Sequence, residues 1–286
     1  MSRVAYVNGR YLPHASARVH VEDRGYQFSD GVYEVCEVRG GHFIDERRHL
    51  DRLDRSLHAL QMKAPMGRAA MQIVLRETLR RNLVRDGLVY LQVTRGVARR
   101  DHAFPPPGTK PGFVVTAHSL DRAKLDLAAA NGVGVITVPD NRWERVDVKS
   151  ISLLPNVLAR QAARDQGAKE AWFVGPDGFV TEGSSSNAWI VTGQGVVVTR
   201  PATPGILGGI TRGVVLDIAA RQGLQVEERG FTVSEAMQAR EAFLTAASQI
   251  VMPVVAIDGR KIGDGRPGPV ATALRAHFHE VAEVSP

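Results

Sequence analysis

The chain has 286 residues, 44% hydrophobic and 23% charged, a globular balance that suits one large domain or two smaller ones and can bury a core without cross-links or structural metal. Its single cysteine, Cys36, excludes an internal disulfide and a cysteine-based zinc site. The net charge of +6 is carried by arginines mixed with acids, as in "DERRHLDRLDR"; with no single-sign run and no nucleic-acid motif, a nucleic-acid partner is not expected.

The start, "MSRVAYVNGRYLP", lacks an apolar signal core. The longest apolar run, "AFLTAASQIVMPVVAI", is interrupted by Gln249 and Pro253 and falls short of the roughly 20 residues a membrane span needs. These features read as a soluble, cytoplasmic protein with no membrane segment.

In chain order, "VAYVNGRYL" predicts a hairpin turning at Asn8-Gly9, and "GVYEVCEVRGGHFI" another at Gly40-Gly41. "DERRHLDRLDRSLHALQM" predicts a helix with Leu50, Leu53, Leu57 and Leu60 on one face, followed by a second helix over "RAAMQIVLRETLRRNLV". In "LVYLQVTRG", Val89, Leu91 and Val93 alternate with Tyr90, Gln92 and Thr94, as in a strand covered on one face; "GFVVTAHSL" adds another strand. Between them, the prolines of "RRDHAFPPPGTKPG" dictate a loop. Ser119–Asp126 reads as a connection between halves.

Beyond it, "NGVGVITVP" and "RVDVKSIS" read as strands framing a turn with Trp143, and "PNVLARQAARDQG" as a helix. "EAWFVGPDGFVTEGSSSNAWIVTGQGVVVT" reads as a meander. "TRGVVLDIAARQG" and "SEAMQAR" read as helices, and "AFLTAASQIVMPVVAIDGRKI" as strands with an Asp258-Gly259 hairpin. A helix over "GPVATALRAHFHEVA" follows. The expected class is α+β in two domains: a small N-terminal α/β domain over residues 1–120 and a larger, strand-rich C-terminal domain over 121–286.

Four segments could carry chemistry. On a strand, Lys149 would share a face with Asp147, opposite Val146 and Val148. A lysine turned inward has a depressed pKa and is a nucleophile for carbonyl compounds; one at a strand end is simply solvent-facing. "TEGSSSN", Thr181 to Asn187, offers hydroxyl and amide donors around the carboxylate of Glu182, or is an ordinary polar loop. "PGILGGITRGVVL" leads glycines into a helix, where amides and the Thr211 hydroxyl could take a phosphate; a capped glycine turn accounts for it equally. In "RRDHAFPPPG", Arg100 and His102 could clamp a carboxylate or stand in an exposed loop. No hydrolase elbow and no metal-binding helix motif is present.

Taken in order, "DRGYQFSDGVYEV", "HLDRL", "QVTRG", "DVKSISLLPNVLA", "VTEGSSSN", "ILGGITR" and "EAFLTAASQIVMPV" resemble the fold-type IV pyridoxal-phosphate aminotransferases, the group of D-amino-acid and branched-chain aminotransferases. The resemblance runs almost end to end. It implies that the C-terminal domain binds pyridoxal 5'-phosphate and that Lys149 is the catalytic lysine, holding the cofactor as an internal aldimine and then moving the α-proton. It implies further that Glu182 pairs with the pyridine nitrogen, that Arg52, Ile210 and Thr211 hold the phosphate, and that Leu207 packs against the ring. The Ser184–Asn187 run would support Glu182. Where the family usually has a threonine, this chain has Ala247, so Ser248 or a backbone amide would have to substitute.

Tyr33 together with Arg100 and His102 matches the substrate-carboxylate set of the D-amino-acid branch. By the same resemblance, the Arg100–His102 loop would reach the neighbouring active site in a homodimer. The implied reaction is ping-pong transamination between D-alanine or D-glutamate and 2-oxo acids such as 2-oxoglutarate or pyruvate. A branched-chain L-amino-acid aminotransferase, an (R)-amine transaminase and an aminodeoxychorismate-type lyase are the alternatives within the family.

Overall fold

The computed structural model describes residues 3–285. They divide into two compact units. One comprises the residues up to Asp121 together with Val148–Ser152 and the residues from Glu283; the other comprises Arg122–Asp147 and Leu153–Ala282. Two short stretches beyond the division drawn near residue 121 thus group with the first unit.

The first unit is built on a seven-stranded antiparallel sheet, ordered Val284–Ser285, His42–Ile44, Gly31–Arg39, Gly87–Thr94, Gly112–Ser119, Val4–Val7, Arg10–Pro13. Alternation decides its faces. Val32, Cys36, Val89, Leu91, Val93, Phe113 and Val115 are sealed, while Tyr33, Val35, Tyr90, Gln92 and Val114 on the opposite face are only half-buried. The helices Glu46–Ala59 and Arg68–Asn82 cover the sealed face with Leu50, Leu53, Leu57, Met71, Leu75 and Leu79. Each such side chain contributes roughly 1.5–3 kcal/mol by leaving water. The hairpin turns fall at Asn8-Gly9 and Gly40-Gly41. Asn8 and Gly9 take φ of 46° and 93°, the left-handed pair that matches strand twist.

The second unit holds a nine-stranded mixed sheet, ordered Val226–Glu228, Val197–Thr199, Asn187–Val191, Glu241–Ala246, Ile250–Ile257, Val133–Pro139, Glu170–Val174, Val180–Gly183, with Arg260–Lys261 paired to Ile250–Ile257. Trp172, Ile190, Leu244, Met252 and Phe231 fill its core. The helix Leu154–Asp165 lays Ala159 and Ala163 against Ile136, Ala171 and Phe173.

Several expectations are corrected. "RVDVKSIS" forms no strand; its ordered part is a single bridge from Ser150 to Val32, so the face-sharing expected of Lys149 and Asp147 does not apply. The expected meander is split: Val180–Gly183 pairs with Glu170–Val174, whereas the next strand, Asn187–Val191, pairs with Val197–Thr199 and Glu241–Ala246. The segment read as a connection, Ser119–Asp126, runs into the helix Arg122–Asn131, whose one buried residue, Ala129, leaves no apolar stripe to betray it. The strands Val226–Glu228 and Val284–Ser285 are too short for a pattern to report.

Candidate active site

Lys149 is half-buried, and its main chain is stitched to the strand Gly31–Arg39. Tyr33 N donates to Lys149 O at 3.0 Å and Ile151 N to Gly31 O at 3.0 Å, while Lys149 N donates to Ser56 Oγ at 3.3 Å. The backbone is therefore held on both sides of a flexible side chain. That side chain places Nζ 4.2 Å from the centre of the Tyr33 ring. Tyr33 in turn stacks on Tyr90 at 5.6 Å, and the Tyr90 hydroxyl donates to Gln92 Oε1 at 2.6 Å. Burial, and secondarily Tyr33, pushes the Tyr90 phenol up to about 12. Its proton stays on at neutral pH.

On the other face of the same strand lies Glu34, fully sealed. Arg52, on the helix Glu46–Ala59, meets it with two bonds of 2.7 and 2.8 Å, and His49 Nδ1 lies 2.7 Å from the same carboxylate. Burial pushes the Glu34 carboxyl up. The charge and hydrogen bonds of Arg52, with His49, override that and hold it well below the usual carboxylate range. The buried guanidinium is thereby fixed in orientation on the helix face.

In the second unit, Glu182 is 5% exposed and both of its carboxylate oxygens are engaged. Oε2 accepts from Asn187 Nδ2 at 3.1 Å and from the Leu207 amide at 3.1 Å; Oε1 accepts from Arg142. Arg142 simultaneously forks Asp140 at 2.9 and 2.7 Å and lies over the Phe173 ring at 4.5 Å. Asn187 also donates to Leu207 O at 2.9 Å, which ties the two residues flanking Glu182 to each other. Next along the chain, Gly209 has no room for a side chain: an added Cβ would stand 2.1 Å from Asn187 Oδ1. The helix Ile210–Arg221 then begins without a side-chain cap, with Thr211 buried in its first turn.

Of the Ser184–Asn187 run, Asn187 bonds Glu182 directly. The hydroxyls of Ser184, Ser185 and Ser186 converge instead on the sealed carboxylate of Glu170. Neither Arg142 nor Glu170 stands out in the sequence. Their partners lie 40 and 15 residues away, a separation that no local pattern reports.

Ala247 and Ser248, both half-buried, lie in the turn between Glu241–Ala246 and Ile250–Ile257, closed by Gln249 N donating to Ala246 O at 3.0 Å. Arg100 and His102 are exposed in the proline-rich loop. Both lie against Phe28, Arg100 at 4.6 Å from the ring centre and the His102 ring at 5.4 Å. Among the described residues, no His/Cys/Asp/Glu cluster could hold a metal ion, and no helix is long and apolar enough to cross a membrane.

The profile of the amino-transferase class IV family matches residues 31–257. The chain belongs to the class IV aminotransferases. It is 42% identical over 272 residues to a D-alanine aminotransferase of Bacillus licheniformis, covering 94% of each chain, and 39% identical to one of Staphylococcus haemolyticus, covering 97% of each. Its structure is similar to that of a T.th. branched-chain amino acid aminotransferase with pyridoxamine 5'-phosphate: the TM-score is 0.89 and the identity 26%, over 98% of this chain and 94% of that one. The fold is therefore fold-type IV.

The residues in hand suit the cofactor this family uses, pyridoxal 5'-phosphate. A buried carboxylate paired with an arginine suits a protonated pyridine nitrogen as partner, and Glu182 is such a group. The side-chain-free Gly209 and the uncapped helix start at Ile210 leave backbone amides for a phosphate. The half-buried Lys149 carries an amine of the kind an aldehyde needs.

Proposed function

We propose that this class IV aminotransferase is a pyridoxal-phosphate-dependent D-amino-acid transaminase, exchanging the amino group of D-alanine or D-glutamate with 2-oxo acids such as 2-oxoglutarate and pyruvate. The observation that carries this reading is the identity of 42% and 39%, nearly end to end, with D-alanine aminotransferases. Lys149, Arg52, Glu182, Leu207, Ile210 and Thr211 would hold the cofactor, with Ser248 standing in for the threonine that Ala247 replaces. When bound, the cofactor supplies an electron sink for the pair left by breaking the α-C–H bond.

The chain's own residues do the rest. The Lys149 amine takes the proton from the substrate α-carbon and later returns one; its pinned backbone and free side chain suit a group that must swing but not wander. Glu182 keeps a proton on the pyridine nitrogen, and Arg142, Asn187 and the Leu207 amide hold Glu182 in place. Arg52 holds phosphate from a guanidinium fixed by Glu34. Tyr33, Arg100 and His102 bind the substrate carboxylate, and so decide which α-hydrogen faces Lys149. The same reading takes the working form to be a cytoplasmic homodimer in which the Arg100–His102 loop serves the neighbouring subunit.

A half-reaction tests it. The protein loaded with cofactor is mixed separately with D-alanine, L-leucine, L-glutamate and (R)-1-phenylethylamine, and the visible cofactor band is followed. Loss with D-alanine far faster than with the others is the expected result. Preferential loss with L-leucine or with the amine overturns the D-specific reading and leaves the family assignment intact.

A further inference from the structure

Arg24 opens the short helix Arg24–Phe28 and its side chain is 4% exposed. Such burial requires full pairing, and Arg24 has it on both edges. Nε bonds Asp30 Oδ2 at 2.8 Å. On the other side, NH1 donates to the carbonyl of Asp101 at 2.6 Å and NH2 to that of His102 at 3.4 Å. The guanidinium also lies 4.9 Å from the Phe28 ring centre, the ring that Arg100 and His102 contact.

The same Asp30 oxygen accepts from Arg95 Nε at 2.8 Å. Arg95 is anchored to the carbonyls of Leu60 and Gln61 and stacks on Phe104 at 3.9 Å. One carboxylate oxygen is thus the pivot of two arginines that grip the loop at Asp101–His102 and at Phe104. Arg100 makes no hydrogen bond or ion pair among the described residues. Its donors are uncommitted, whereas those of Arg24 are spent on the loop.

We propose that Arg24, seated on Asp30, is the positioning residue of the carboxylate clamp: it fixes the peptide planes at Asp101 and His102 and so sets how Arg100 and His102 are presented to the substrate. The inference rests on the transaminase reading above. Fixing two successive carbonyls fixes the main chain at His102, and the shared Phe28 ring limits where Arg100 can rest. A lysine cannot replace this arrangement. A point charge on a flexible stem reaches Asp30 or the carbonyls, but not both with fixed geometry.

The test is a double-mutant cycle in the holoenzyme with D-alanine. Arg24→Ala is expected to raise KM about 10-fold with kcat changed less than about threefold, the signature of lost ground-state binding. Because Arg24 acts through the loop, adding Arg24→Ala to Arg100→Ala should cost less than about a further twofold. Arg24→Lys keeps the charge beside Asp30 and serves if the alanine variant does not fold; it too should raise KM, with the visible cofactor band unchanged. A KM for D-alanine unchanged in a folded Arg24 variant, or effects of Arg24→Ala and Arg100→Ala that simply multiply, overturns the proposal. A wild-type protein inactive toward D-alanine takes down the transaminase reading and this inference together; an active wild type with indifferent Arg24 variants removes only the inference.

Discussion

Arg52 and Glu34 meet edge to edge, with two parallel bonds of 2.7 and 2.8 Å between groups that are both out of solvent. The pair joins a helix to the strand that carries Tyr33, so it couples the first unit's packing to the presentation of a guanidinium. Removing one partner strands the other's charge. Glu34→Gln should therefore cost about 3 kcal/mol of stability, more than its change in volume implies, and should weaken cofactor retention. Denaturant unfolding with and without added pyridoxal phosphate checks both; a loss below about 0.5 kcal/mol would mean that Arg52 finds another partner.

Acid should act through the same carboxylates. Glu34 and Asp140 are pushed up by burial but held below their ordinary values of 4.5 and 3.8 by Arg52 and Arg142 respectively. A depressed native pKa gives stability that is complete above the unfolded value and lost as pH falls toward the native one. Stability should thus be flat near neutrality and decline below about pH 4.5. In Glu34→Gln the decline should be shallower, which unfolding midpoints measured from about pH 7 to about pH 3 would reveal.

Two adjacent glycines should behave oppositely. A Cβ at Gly209 would lie 2.1 Å from Asn187 Oδ1, whereas one at Gly208 meets only Ala202 at 3.9 Å. Gly209→Ala must displace the side chain that bonds Glu182 and Leu207, so activity should fall at least about 10-fold. Gly208→Ala should remain near wild type. Equal effects in a side-by-side assay would remove the Asn187 contact from the explanation.

Arg142→Met should deprive Glu182 of its arginine and leave the half-buried Asp140 without the same counter-charge. Loss of such an outer partner typically costs about 10- to 100-fold in ligand affinity or activity. The expected readouts are a shifted cofactor absorption maximum and faster cofactor loss on dialysis. A wild-type spectrum and retention would make Arg142 merely structural.

Lys149→Ala should abolish multiple turnover while leaving the first unit folded, because the anchoring bonds at residue 149 use main-chain atoms. Near-normal turnover would refute the role of the amine; collapse of the circular-dichroism spectrum would show that the side chain supports the fold.

Much of the fold is legible in the sequence because periodicity reports burial. Leu50, Leu53 and Leu57 lie under the sheet, and Val89, Leu91 and Val93 lie inward, as their spacing requires. Asn8-Gly9 and Asp258-Gly259 turn as their conformational preferences dictate. The groups that organise the carboxylates are not legible. Arg142 reaches Glu182 from 40 residues away, Arg24 reaches Asp101 across 77, and Glu170 gathers three serines that read as a generic polar loop. Each is a long-range pairing among residue types that are common at surfaces, and only the fold brings them together. Lys149 reads as a strand residue because its alternation with Val146 and Val148 mimics one; a single bridge is all that forms.

The chain enters the second unit at Arg122, returns to the first for Val148–Ser152 and leaves again at Leu153. No single cleavage of the gene can therefore yield both units intact. A fragment ending at Asp121 would lack the amine of Lys149 and would uncover the main-chain groups of Gly31 and Tyr33 that the returning segment occupies. The complementary fragment would carry that returning segment with nothing to pair it. Fragment complementation or fusion into another protein should accordingly use the surface turns, such as Asn8-Gly9 or Asp258-Gly259, and keep residues 122–153 on the same polypeptide as both units.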